Sequence, residues 1–568
     1  MTDDAFPPVP FDFAYSKFRE HDAWVRQDAD TLNAIYQGKD TYSTATHMVN
    51  GRPYRGGAFG LLSKMFLGQP IVANEKRMFS MPPLAGDICT LSAALLYGEA
   101  PTFRYPKPES TAAAESTAEG AKPKKWRHPA QDTLDLIMGS DQAHAELLKS
   151  GEYAAALGGT FIAAVWDPEV RKNVFPRAYR SDCALPVFRY GELISCTLWS
   201  EYRTADTSHV FRLLERHEKG LITYTLHRGS DKVLGPMVPM SELPETSHYN
   251  TLRTDAEWDA AMEDPSILNG PVTVATGVPE ALTVVYIPNR FPNHNWDKLG
   301  TLANLGRSDL DGIEDMLDKY AQILTSLMRD VENGEGRLTV PESWLEQGPR
   351  GQGSTFDPRR QVYVGVSALG KGDEGMKDQI VSTQFEIRVE EHDHAMDVIK
   401  RQIAERTGYS PAHLGVRDAA TGTKTATEIT ADFTDSERTR DTKAMLAKPA
   451  LAKFAQVAVA LQGVVFGTPG AKWYDELPDI EFTPISQQDM EKLARIASAG
   501  YLSNSMSLRQ RVKTLHPDFD DEQIDEEVAA IERELGSPAP DPANFTDDPT
   551  TPDGSRPKSA PIVPEPVE

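Results

Sequence analysis

At 568 residues the chain is too long for one ordinary hydrophobic core, so two or more folded modules are expected. Its 40% hydrophobic and 25% charged content is that of a globular protein, not a fibrous or disordered one. The formal charge of -25, from 59 Lys and Arg against 84 Asp and Glu, excludes a bulk nucleic-acid binder but not a passage along which a duplex slides, since tight phosphate neutralisation opposes sliding. Cys89, Cys183 and Cys196 lie far apart with no CxxC pair, which supports neither a disulfide framework nor a zinc cluster and points to a reducing compartment. The start, Met1-Thr-Asp-Asp, reads as neither export signal nor anchor, and no apolar run reaches the roughly 18 residues that span a bilayer.

In chain order, the region to about Tyr105 mixes aromatic and helical stretches, with the apolar segment Leu91–Tyr97 reading as a buried helix end stopped by Gly98. Residues 106–125 are low in complexity and read as an exposed loop or linker. From Gly158 to Asn289, short β-branched and aromatic runs read as strands: Thr160–Trp166, Val210–Leu214, Leu221–Leu226 and Leu282–Ile287. Glu218-Lys-Gly220 suggests a hairpin between the second and third, and the module is α+β.

Ser308 with Asp311 three residues on resembles a capping box, followed at helical spacing by Leu310, Ile313, Leu317, Tyr320, Leu324 and Leu327. The pattern predicts a helix from Ser308 to about Asn333, with Asp309 and Asp311 at its positive end and Gly334 and Gly336 ending it. Asp309-Leu-Asp311 is better explained by that start than by metal binding. Alternation from Val381 to Val389 predicts a strand, Glu391–Arg406 a second helix, and residues 410–423 a polar loop. A long helix follows from about Thr425 to Phe466, which Pro449 should kink or divide. The segment from about Ile480 to Leu535 is mainly helical, and the Pro-, Asp- and Ser-rich residues after Ser537 read as disordered.

Candidate chemistry is sparse. Gly365–Gly372 nearly spells a phosphate-binding loop, but Gly372 stands where a magnesium-binding hydroxyl is needed and Asp373-Glu374 would oppose phosphate, so a glycine-rich turn explains it better. His392 and His394 are two apart, which separates them on a helix and aligns them only on a strand; a solvated helix entrance is the better reading. No nucleophile motif places a Ser, His and Asp together, so no catalytic residue, cofactor or metal site is assigned. The alternating charges of Asp435–Lys443 mark an exposed helix face or a polar interface with a neighbouring helix.

Taken together, Tyr286-Ile-Pro-Asn289, Gly306-Arg-Ser-Asp309, Arg329-Asp330, Arg337–Pro341, Pro83–Asp87 with Gly98–Pro101, Thr425–Ile429 and Ala499–Ser503 stand in an order that closely resembles siphophage portal proteins of the kind common in actinobacterial phages. The resemblance spans roughly residues 75 to 535. It implies a multidomain α+β portal fold of wing, stem, clip and crown, with long helices around an axial channel in a twelve-subunit ring. Carried onto this chain, it implies a wing at 1–307, a first stem helix at 308–333, a clip at 334–390, a second stem helix at 391–408 and a tunnel loop at 409–424. The long kinked wing helix and its connection would occupy 425–479, the crown 480–536 and a disordered tail 537–568.

The implied role is a non-enzymatic head-to-tail connector at one capsid vertex of the virion, assembled in the host cytoplasm, through which double-stranded DNA is packaged and ejected. The implied partners are further copies of the chain, the terminase large subunit, the major capsid protein with scaffold, and head-completion adaptors, with no membrane. Arg417, Lys424, Lys400 and Arg401 are the candidate charges near passing DNA, an ordinary ion pair being the alternative for each. Competing functions are a nucleotide-dependent DNA motor using Gly365–Gly372 and a different structural head protein.

Overall fold

The computed structural model describes residues 5–36, 81–106, 127–204, 209–334, 388–416, 426–482 and most of 490–535, with short strand pairs at 48–53 and between 337 and 383. The low-complexity stretch, the Gly365–Gly372 turn, most of the segment expected as clip, and the tail lie outside the described residues. The chain divides into two compact units, Met1–Thr483 and Pro484–Glu568.

The first unit opens with helices α1 (Phe11–Arg26) and α2 (Ala29–Tyr36), then α3 (Leu84–Tyr97), which closes at Gly98. Strand β1 (Thr102–Arg104) precedes α4 (Gln131–Met138) and α5 (Asp141–Leu157). Ser140 caps α5 by accepting the Ala143 N–H, and Gly158 ends it with φ near +81°, a conformation open to glycine at little cost.

Strands β2 (Gly159–Val165) and β3 (Phe175–Arg180) form a small antiparallel sheet with β10 (Val284–Pro288), in the order β10-β2-β3. A larger antiparallel sheet contains β4 (Ala184–Arg189), β5 (Glu192–Arg203), β6 (Val210–Glu218), β7 (Leu221–Gly229) and β8 (Met237–Val238), with β9 (Val272–Ala275) also on β7. Glu218 pairs directly with Leu221, so Lys219-Gly220 is the expected two-residue hairpin turn. Between β8 and β9 lies α6 (Asp255–Glu263).

The helix expected from Ser308 begins at Glu314 instead and runs to Gly334 (α7). The capping groups are used elsewhere: Ser308 Oγ lies 2.9 and 2.8 Å from the carbonyls of Ala155 and Ala156, and Asp309 N–H donates to Ala155 at 2.9 Å. They satisfy the carboxyl end of α5, whose last carbonyls have no helical donor. Beyond α7, Arg337–Thr339 (β11) pairs with Val381–Thr383 (β12), and α8 runs from Val389 to Thr407, so Val389 opens a helix where a strand was expected to end. The long helix α9 (Ala426–Phe466) is not divided at Pro449. Strand β13 (Asp479–Glu481) pairs with β1 and closes the first unit.

Helix α9 is long and apolar enough over Phe433–Phe466 to cross a membrane, but most of it is buried. Its residues Leu451, Phe454, Ala458 and Leu461 form a core with Leu134, Ile162 and Ile287 from α4, β2 and β10. A second core gathers Phe18 and Trp24 from α1, Leu32 from α2, Ile88 from α3, Leu317 from α7 and Ile403 from α8. The second unit holds α10 (Met490–Leu502), α11 (Leu508–Leu515) and α12 (Asp521–Leu535), among which Leu493, Val512 and Ile524 are buried.

Candidate functional site: the root of the long helix pair

Helices α7 and α8 pack antiparallel, as three contacts along their length require. Near the root Gly312 approaches the Arg406 guanidinium, midway Lys400 Nζ lies 5.8 Å from the Tyr320 ring centroid, and at the far end Asp330 meets Arg388 and His392. Toward the root Leu317, Tyr320, Ala321, Ile403 and Ala404 are buried. Burial fades along the pair, where Met328 and Val331 on α7 and Val389 and Val398 on α8 are exposed.

At the root lies a buried charge cluster assembled from five segments. Asp309 is fully buried, and its Oδ2 accepts from Lys443 Nζ at 2.5 Å and from the Tyr409 hydroxyl at 2.9 Å. Its Oδ1 accepts from Asn289 Nδ2 at 2.9 Å and faces Arg290 Nε at 3.1 Å. Lys443, on α9, also donates to Ser92 Oγ of α3 at 2.6 Å and to the Tyr409 oxygen at 2.9 Å, so all three ammonium hydrogens have acceptors. Arg290 reaches on to the Thr407 carbonyl at the end of α8.

The electrostatics follow from burial opposed by charge. Burial alone disfavours the Asp309 carboxylate, but Lys443 and Arg290 outweigh it and hold its pKa at about 2. Burial, only partly offset by Asp309, brings Lys443 down to about 8, so both partners are ionised at neutral pH. Burial and then the Asp309 charge push the Tyr409 phenol well above its ordinary value, which keeps it a donor.

A second clamp holds the first turn of α7. Glu314 Oε1 accepts from Lys17 Nζ at 2.8 Å and lies 3.1 Å from His21 Nε2, residues one turn apart on α1. Burial opposes its ionisation, but His21 and Lys17 hold it at about 2. His21, Asp311 and Glu314 have metal-compatible spacing, yet Lys17 already supplies the countercharge. The arrangement is a mechanical joint: α1, α3, α5, both long helices of the pair and α9 are tied at one point.

The sequence candidates fare unevenly. Lys400 is half-buried over Tyr320 and Arg401 is exposed on α8, whereas Arg417 and Lys424 lie outside the described residues. His392 and His394 stand on a helix, and His392 pairs with Asp330 instead of sharing an ion with His394. The Asp435–Lys443 segment is not a plain exposed face: Ser436, Arg440 and Lys443 recur at helical spacing and are buried. Ser436 accepts the Ser410 N–H at 2.8 Å and Tyr409, Ser410 and Val416 are buried, so the first part of the expected loop at 410–423 is packed against α9. Sequence reasoning missed Asp309, Lys443 and Tyr409 as a set; Ser436, Arg440 and Lys443 spaced by four and three was the available signal for an inward polar face.

The family model described as "Phage portal protein, SPP1 Gp6-like" matches residues 206–539, more than half of the chain, from the start of β6 past α12. The chain belongs to this phage portal protein family. No curated protein matches it. Among solved structures, a chain of "Neck of empty GTA particle computed with C6 symmetry" is 12% identical, with TM-score 0.37, covering 82% of this chain and 95% of that one. A chain of "Virion of native gene transfer agent (GTA) particle" is 13% identical, with TM-score 0.35, covering 80% of this chain and 97% of that one.

Proposed function

We propose that this portal protein assembles as a ring of twelve identical subunits at one vertex of the virion capsid, around an axial channel for double-stranded DNA. The carrying observation is the α7–α8 pair, locked into the core at its root and bearing Met328, Val331, Val389 and Val398 exposed toward its far end. Exposed apolar side chains on both helices are what neighbouring copies packed side by side would bury. The pair then serves as the stem, residues 334–390 between its helices as the clip, the preceding sheets and α9 as the wing, and the second unit as the crown.

In this reading the clip docks the terminase large subunit during packaging and head-completion adaptors afterwards, while the wing meets the major capsid protein and scaffold; assembly begins in the host cytoplasm. The protein itself performs no catalysis. Arg401 on the stem, with Lys400 beside it and Arg417 and Lys424 on the following loop, would lie near the duplex. The channel-narrowing loop is the segment 409–424, whose residues 410–416 pack on α9.

Electron microscopy of the purified full chain, with mass measured alongside, tests the reading: twelve copies of 62.7 kDa come to about 750 kDa. Rings with an axial hole support it, and a soluble monomer that stays monomeric with scaffold and capsid protein present refutes it. Deleting residues 417–423 should leave the ring intact while DNA retention fails.

A further inference from the structure

After α8 the chain makes one short turn and lies down on α9. Gly408 ends α8 with φ near +77°, and Pro411–Leu414 form a single 3-10 turn that Ser410 caps by accepting the Ala412 N–H. Phe433, Ser436 and Thr439 stand at three-residue intervals on α9 and receive this turn on one face. Thr439 Oγ1 donates to the Gly408 carbonyl at 2.6 Å, and Ser436 Oγ accepts the Ser410 N–H at 2.8 Å. The His413 ring stacks on the Phe433 ring, with centroids 4.5 Å apart. That stacking leaves His413 Nδ1 2.9 Å from the same oxygen of Ser436, a residue only 1% exposed.

Sharing one buried hydroxyl favours a neutral ring. A serine oxygen has two lone pairs and one hydrogen. The Ser410 N–H occupies one lone pair, so with a neutral ring the hydroxyl hydrogen goes to His413 Nδ1 and each group is satisfied. A protonated ring brings a second N–H to that oxygen and removes the acceptor for its hydrogen, which must fall back on a carbonyl of its own helix. The ring is half-buried, and burial pulls its pKa below the ordinary 6.5. Helices α3, α8 and α9 pack around the turn. On α9, Asp435 faces Arg438, Arg440 faces Asp441, and Glu437 follows Ser436; on α8, Glu405 and Arg406 are exposed, as is Asp87 on α3. Asp309, Lys443 and Arg290 are bonded within the root cluster. Among these described groups none offsets the cost of charging the ring.

We propose that His413 and Ser436 form a proton-operated latch: a neutral His413 holds the turn at 410–416 on α9, and a protonated one loosens it. The seated ring binds its proton less readily than a free one. The latch therefore contributes in full above about pH 6.5, and its contribution disappears as pH falls toward the lower value of the seated ring. Tyr409 stays tied to Asp309, whose carboxylate keeps its charge down to about 2, so the loosening is confined to the residues beyond Tyr409. The latch belongs to the single subunit. Only its bearing on the channel-narrowing loop rests on the ring reading above.

The test is amide hydrogen exchange of the full chain at pH 7.5, 6.5 and 5, with rates corrected for their intrinsic pH dependence and followed on peptides covering residues 409–416. Protection there should fall roughly threefold or more from pH 7.5 to pH 5 in the unmodified chain, while Leu451–Leu461 in the core of α9 holds constant. His413→Asn places an acceptor oxygen where Nδ1 stands at every pH, so its protection should not change across the range. Ser436→Ala should bring protection at pH 7.5 down to the acid level and flatten the profile. A flat profile in the unmodified chain, a fall that persists in His413→Asn, or protection untouched by Ser436→Ala overturns the latch. The measurement needs no ring, so failure of rings to form removes the ring reading and leaves the latch standing, and a flat profile does the reverse.

Discussion

The two ends of the α7–α8 pair use the same chemistry for different purposes. At the root, Asp309 meets Lys443 and Arg290 with almost no solvent; at the far end, Asp330 meets the largely exposed Arg388 and the partly buried His392, with water reaching the group. A carboxylate in water gains little from a cation beside it, whereas one sealed in a core depends on it, because the alternative is an unpaired buried charge. The root is therefore a property of the folded subunit. The tip keeps Met328, Val331 and Val389 exposed.

The strongest way to break that contrast is Lys443→Met, which leaves Asp309 with Arg290 as its one remaining cation. It should cost about 2–4 kcal/mol in urea denaturation, since a buried carboxylate loses one of its two cations. A loss below 1 kcal/mol for this variant would mean that the root is not the lock described here.

Acid should act on the root next. Asp309 and Glu314 titrate in the fold near 2, below their ordinary 3.8 and 4.5. Depressed carboxylates stabilise in full above their unfolded values, and that contribution disappears as pH falls from about 4.5 toward 2; Asp309 alone accounts for roughly 2–3 kcal/mol. Denaturation at pH 5, 4 and 3 should show this slope, and Asp309→Asn should flatten its share.

Gly158→Ala probes the backbone beneath the cluster. With φ near +81° and an added Cβ placed 2.4 Å from the Gly306 carbonyl oxygen, it should destabilise by ~1–3 kcal/mol, measured as a fall in thermal midpoint. The smallest effect belongs to the tip: Asp330→Asn should change subunit stability by less than about 1 kcal/mol, checked by the same urea titration. An effect as large as that of Lys443→Met would erase the distinction between the two ends.

Much of the architecture follows from local pattern. The hairpin at Lys219-Gly220 is written in two β-branched runs flanking a turn, and α8 and α9 begin within two residues of their expected starts because apolar periodicity carries that signal over short windows. The start of α7 was not legible in the same way. Ser308 and Asp309 are good capping residues in any sequence, and only the fold decides that they satisfy α5 instead of their own helix.

The charged root shows the same limit more sharply. Composition, charge and the order of short segments determined that this is a large, multidomain, non-basic protein of the portal family. That Lys443 faces a carboxylate 134 positions earlier, while Arg438 on the same helix faces water, was decided by tertiary structure alone. A lysine's meaning depends on how much water it keeps, and the amount is set by residues distant in sequence that meet only when the cores close.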